Sequence, residues 1–128
     1  MRIIIDGYNL LHRVKATGNS LEKKREYLIE KLAEFRSTND NVSAIAVVFD
    51  AKGGMSSIRG YGKNMGIELI YAAQDETADD VIMEMVTKRK GKARDHLVVS
   101  SDNRITNYAA ANSMNIMSSD EFADYLED

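Results

Sequence analysis

Three short runs, Ile3-Ile4-Ile5, Val47-Val48-Phe49 and Leu97-Val98-Val99, are apolar at every position rather than at alternate ones. A strand with one wet face alternates. A strand that is apolar throughout is covered on both faces, the habit of parallel sheets packed between helices. Stretches with helical spacing separate these runs. Leu21, Leu28, Leu32 and Phe35 recur along one face, and Thr77 with Asp80 and Ser118 with Glu121 have capping-box spacing. The pattern predicts strands over Arg2–Asp6, Ala44–Asp50, Ile67–Tyr71, His96–Ser101 and Asn115–Met117. It predicts helices near Asn9–Val14, Ser20–Arg36, Ala78–Arg89, Asn103–Ser113 and Asp120–Leu126. The expected fold is α/β, a three-layer α/β/α sandwich with a central, mostly parallel sheet of about five strands, as a single domain over residues 1–128.

A chain of 128 residues can bury a core without staples. Cysteine is absent, which excludes disulfides and thiolate metal sites. No apolar run approaches the ~20 residues of a membrane span, and Asp6 interrupts the N-terminal run too early for a signal peptide. A cytoplasmic setting away from membranes is therefore expected. The formal charge of −3 argues against a general nucleic-acid binder, but not against a site whose acids are offset by a bound metal. Proline is also absent, so turns fall to the eight glycines and to Asn, Asp and Ser. Five of those glycines lie in Ala51–Gly66 with Lys52, Arg59 and Lys63. That stretch reads as one long irregular loop, of a length more often functional than accidental.

Four aspartates stand where an apolar run hands over to a turn or helix: Asp6, Asp50, Asp79 and Asp102. The carboxyl ends of parallel strands emerge on one edge, where open α/β sheets bind ligands. Acids far apart in sequence can meet there, and crowded carboxylates repel unless a divalent cation joins them. Each acid also has a plain structural reading. Asp6 can cap the helix after Asp6-Gly7-Tyr8-Asn9, Asp50 can satisfy loop amides, and Asp102 can cap the helix after Ser100-Ser101. Asn9 can cap a helix or bond a substrate oxygen. Asp79 sits at the margin of the buried face of its helix, whereas Asp80 points nearly away from it and reads as the capping residue.

Together these pieces resemble the NYN branch of the PIN-like ribonucleases, and in particular the YacP-like family. The matching segments are Ile5-Asp6-Gly7-Tyr8-Asn9-Leu10, Val47-Val48-Phe49-Asp50-Ala51, Glu76-Thr77-Ala78-Asp79 and Ser100-Ser101-Asp102, spread over nearly the whole chain. The resemblance implies a compact parallel sheet whose acidic edge binds Mg²⁺ or Mn²⁺ and cleaves RNA. It implies Asp6, Asp79 and Asp102 as metal-site acids, with Asp50 completing the cluster. Asn9 would orient the metal shell or scissile phosphate, and Ser100 would support Asp102 at the substrate site. Glu76 belongs to the motif without an assigned role. One departure is that this sequence stops soon after its last helix, where many relatives continue with further helical sequence.

Phosphodiester hydrolysis needs an activated water, stabilised phosphoryl charge and help for the leaving oxygen, and one or two carboxylate-held Mg²⁺ ions can supply all three. His12 and His96 are lone histidines, better read as exposed or packed residues than as ligands. Single-stranded RNA is the expected substrate, with Lys52, Arg59 and Lys63 near its phosphates and Tyr61 or Tyr8 available for stacking. For each of these, a solvated loop charge or packed aromatic is an equal reading. Lys88-Arg89-Lys90-Gly91-Lys92-Ala93-Arg94 reads first as a solvated helix end and second as a remote docking patch for RNA or ribosome. The competing function is a non-catalytic PIN-like module that holds RNA or protein. A receiver-like domain lacks its paired acids and lysine here. A dehalogenase-type phosphatase lacks its second Asp, and no phosphate-cradling glycine loop is present.

Overall fold

The computed structural model describes residues 1–16, 18–51 and 56–127. The elements run β1 (Arg2–Asp6), α1 (Gly7–Leu11), α2 (Leu21–Thr38), β2 (Ala44–Phe49), β3 (Gly60–Asn64), β4 (Ile67–Tyr71), α3 (Ala78–Arg89), a 3-10 helix (Lys90–Asp95), β5 (His96–Val99), α4 (Asn103–Ala111), β6 (Asn115–Met117) and α5 (Ser119–Glu127). One sheet orders the strands β3-β4-β2-β1-β5-β6. All pairings are parallel except β3 with β4. Strand β1 lies at the centre, with Ile5 opposite Val47 on one side and Val99 on the other.

The continuous apolar runs divide their side chains between two cores, as the period of a strand demands. Ile3, Ile5, Ile45, Val47, Phe49, Leu97 and Val99 face α1, α2 and α5, where Leu10, Leu28, Leu32 and Phe122 meet them. Ile4, Ala46, Val48 and Val98 face α3 and α4, against Val81, Ile82, Val86, Ile105 and Ala109. On α2 the buried face begins at Leu28. Leu21 sits just after the capping Ser20 and is 47% exposed, because the first turn overhangs the sheet. The box at Thr77 and Asp80 forms in both directions, and Ser118 Oγ accepts from the Glu121 amide.

Among the described residues the sheet has six strands, one more than the sequence predicts. Part of the glycine-rich stretch folds back as β3, an antiparallel edge strand joined to β4 by a two-residue turn. Asn64 pairs with Ile67 across it, and both turn residues, Met65 (φ 53) and Gly66 (φ 81), adopt positive φ. That is the geometry of a type I′ hairpin, whose twist matches that of the flanking strands. Gly60-Tyr61-Gly62-Lys63-Asn64 has no apolar alternation, which is why it reads as loop.

Gly7 permits the close approach of α1 to β2. A Cβ there would lie 2.5 Å from the Phe49 ring and 2.8 Å from the Val48 carbonyl oxygen. Phe49 itself is wedged between Tyr8 (4.9 Å between centroids) and Tyr71 (5.5 Å) and cannot retreat freely. Gly7→Ala is expected to cost about 2 kcal/mol through overpacking. A thermal melt should show a fall in Tm on the order of 5–10 °C; an unchanged Tm would mean that α1 can lift away.

Candidate active site

Parallel pairing brings the ends of β1, β2 and β5 to one edge, together with the first turns of α3 and α4. Asp6 is the last residue of β1 and the N-cap of α1, yet its carboxylate makes no capping bond. It turns instead to β5, where Ser100 Oγ donates to its Oδ2 at 2.9 Å. The residue is 8% exposed. Burial, opposed by the Ser100 hydrogen bond and reinforced by the charges of Asp79, Asp50 and Asp102, pushes the Asp6 carboxyl up to about 6. The four predicted acids thus act on one another across the edge.

Asp102 caps α4, its Oδ1 accepting from the Arg104 amide at 2.8 Å. Asp79 occupies the first turn of α3, partly buried. Burial and then the adjoining Asp102, with which it shares a hydrogen bond, hold its carboxyl above the ordinary range; Arg104 opposes this and Asp50 adds to it. Asp50 reaches from the end of β2 to α3, where its Oδ1 accepts from the Ala78 amide at 2.9 Å. Asp80 serves the helix end, its Oδ2 accepting from the Thr77 amide, which lowers its pKa, and its Oδ1 lies 3.8 Å from Arg104 Nη2 in an exposed ion pair.

Hydroxyls and amides around them fix these acids. Ser100 Oγ also accepts from the Asp102 amide at 3.0 Å, so one hydroxyl joins Asp6 to the start of α4. Ser100 is fully buried and has no surface to offer a substrate; it is a positioning residue. Asn9 Oδ1 accepts from the Ser101 amide (2.9 Å) and from Ser119 Oγ (2.6 Å), and Ser119 N donates to Ser101 Oγ. Asn9 therefore ties α1, the β5–α4 turn and α5 together. Ser101, Ser119 and Arg104 escape sequence reasoning, since a serine before a helix reads as a cap whatever else it holds.

Of the predicted cations, Lys52 lies outside the described residues, and Arg59 and Lys63 do not gather at the acids. Lys63 stands opposite Glu68 near the far end of β4, towards the amino-terminal ends of the parallel strands. Arg59 is clamped by two carboxylates, with Nε and Nη2 donating to Glu76 at 2.7 and 2.9 Å and Nη2 also meeting Glu84. Hydrogen bonds from Arg59 and then Lys88 hold the Glu84 carboxyl at about 2. Glu76 thus anchors the residues before β3 to the turn ahead of α3. Tyr8 packs on Phe49 and its hydroxyl accepts from Arg25, whereas Tyr61 on β3 is 72% exposed. His12 is exposed and His96 is buried, both away from the acids.

Carboxylate oxygens are the donors that Mg²⁺ and Mn²⁺ take, so this set fits a hard cation in kind. Among the described residues no three such side chains close on one point at coordination distance. The acids are neighbours around a shallow edge, a spacing suited to an ion that retains part of its hydration.

The raised Asp6 has a stability consequence. Folded Asp6 binds its proton more tightly than the unfolded chain, so its contribution is present at low pH and lost as pH rises through about 6. In chelator, stability should fall by about 1 kcal/mol from about pH 5 to pH 7.5 on this account. Asp6→Asn should flatten that part of the profile and raise Tm at the higher pH. A variant melting curve that tracks the parent across this range would refute the charge crowding.

The sequence and the fold find counterparts among known proteins. The sequence matches the YacP-like NYN domain family over residues 3–128. It is 34% identical over 109 residues to the YacP protein of Bacillus subtilis (strain 168), a match covering 78% of this chain and 59% of that relative's length. The crystal structure of Rae1 (YacP) from Bacillus subtilis superposes with a TM-score of 0.77 and 27% identity, over 99% of this chain and 74% of that one. A mutant of the same protein gives 0.73 and 25% identity, over 98% and 74%. NYN domains are generally nucleases, which gives the acidic edge a coarse hydrolytic reading. With a match that runs almost from end to end and a shared sheet, the chain belongs to the YacP-like NYN domain family.

Proposed function

We propose that the chain is a divalent-metal-dependent endoribonuclease that hydrolyses phosphodiester bonds of single-stranded RNA in the cytoplasm. The observation that carries this reading is the convergence of four acids from separate segments on one sheet edge. There Ser100 joins Asp6 to the turn bearing Asp102, and Asp50 reaches the first turn of α3 beside Asp79. Asp6 and Asp79 are held above the ordinary carboxyl range chiefly by burial. A fold keeps such unrelieved charge where it has a use, and perturbed carboxylates concentrate at functional sites. Asp6, Asp79 and Asp102 are the acids that would hold Mg²⁺ or Mn²⁺, with Asp50 at its margin. Bound there, the ion supplies electrostatic stabilisation of the phosphoryl group and an activated water.

The protein's own residues have distinct tasks in this scheme. Ser100 keeps Asp6 pointed at the edge and locks the turn that carries Asp102. Asn9 holds that turn against α1 and α5, leaving its Nδ2 as a donor for a phosphate oxygen. Arg104, exposed on the first turn of α4, loosely paired with Asp80 at 3.8 Å and opposing the rise of the Asp79 carboxyl, would meet a phosphate. The amino ends of α3 and α4 face the same edge and favour an approaching anion. An open, shallow edge suits a splayed single strand better than a duplex.

Single-stranded RNA incubated with the protein and Mn²⁺ or Mg²⁺ should be cut internally, and chelator should stop the reaction. Asp79→Asn should lower the rate on the order of 100-fold, whereas Asp80→Asn should retain most of it, because Asp80 caps the helix and its exposed pairing with Arg104 is weak. RNA bound but left intact in both metals would assign the chain to a binding role instead. Equal losses in the two variants would remove Asp79 from the site.

A further inference from the structure

At the opposite pole, where the parallel strands begin, Arg2, Arg89, Lys92, Ser43, Asp95 and His96 line a cavity of about 640 Å³. The three cations come from three elements: the start of β1, the end of α3 and the 3-10 helix. Lys88, which also borders the cavity, is paired with Glu84 at 2.9 Å. Arg2, Arg89 and Lys92, by contrast, have no side-chain hydrogen bond or ion pair among the described residues; Asp95 and the nearby Glu68 stand close without engaging them. The Arg2 and Arg89 side chains are half-buried. A guanidinium partly withdrawn from water and left unmatched is costly, and its natural complement is a bidentate oxyanion.

The helix dipole accounts for cations at the end of α3, but not for Arg2 on a strand or for the cavity's floor. His96 forms part of that floor and is 2% exposed. Its Nδ1 donates to the Lys92 carbonyl oxygen at 2.8 Å, which ties the turn bearing Lys92 to β5. Its Nε2 is buried without a partner among the described residues. A concave pocket lined by unmatched cations from three elements belongs to a ligand site rather than to a solvated helix end.

We propose that this cavity binds a phosphate monoester, at a site separate from the acidic edge. The dianion would sit between the Arg2 and Arg89 forks with Lys92 closing over it. The same chemistry is offered by a free nucleotide and by the 5′-phosphorylated end of an RNA, and the two sources are separable. The site does not depend on metal or on the acids, so it is testable with chelator present.

Calorimetric titration in chelator with inorganic phosphate, adenosine 5′-monophosphate and matched 5′-phosphorylated and 5′-hydroxyl oligoribonucleotides provides the test. Phosphate and the mononucleotide should bind, Arg89→Gln and Arg2→Gln should each weaken binding at least about tenfold, and Asp6→Asn should leave it unchanged. Lys92→Gln, at an exposed position, should also weaken it and covers the case in which an arginine variant loses its fold. A tighter mononucleotide points to a free nucleotide, and a 5′-phosphorylated strand preferred over its 5′-hydroxyl twin points to an RNA end. The proposal is overturned if neither phosphate nor mononucleotide binds. It also fails if folded variants bind as the parent does, or if both oligonucleotides bind equally without competition from phosphate.

Discussion

Everything at the acidic edge follows from the placement of β1 between two parallel partners. Because Ile5 is level with both Val47 and Val99, the next residues of three strands leave the sheet together. The chain runs outward from β1 to β2 and β4 on one side, then crosses back through α3 to β5 on the other. Crossovers on opposite faces therefore part beside β1, the place where open α/β sheets take ligands. One buried hydroxyl, that of Ser100, spans this gap and converts two neighbouring strand ends into a single rigid unit.

That unit holds charge against its own interest. Hydrophobic packing on both faces supplies the stability, while the edge holds Asp6 and Asp79 where burial and the neighbouring acids work against ionisation. The two demands are met by different atoms of the same strands: Ile3, Ile4 and Ile5 secure the position at which Asp6 is strained. Sites of this kind trade folding free energy for readiness to bind. Elsewhere acids are matched conventionally, as where Glu76 and Glu84 grip Arg59. The contrast between matched and unmatched carboxylates on one small domain is what singles out the edge.

Much of this was readable from residues alone, for physical reasons. β1, β4, β6 and α3 have the bounds that apolar runs and caps predict, since a strand buried on both faces and a boxed helix start leave few alternatives. Separating Asp79 from Asp80 needed only helical geometry. What escaped notice was long-range or depended on polar partners. β3 is held by backbone pairing and a turn, with side chains too small or too polar to advertise it. Arg59 reads as a free loop cation until Glu76 and Glu84 are placed in space. Asn9 and Ser119 lie 110 residues apart, and no local rule links them.

The added strand has an effect beyond the site. A sheet edge exposes unpaired amides and carbonyls that invite another chain to extend it. Here one border is a five-residue ribbon containing Gly60, Gly62 and Lys63, and the other is the three-residue β6. Neither offers a long apolar template, and the lysine would set like charges against each other in any antiparallel pairing of two copies in that register. The hairpin that the glycines make possible thus shields β4, with its Ile67, Leu69 and Ile70, from serving as a seed for ordered aggregation.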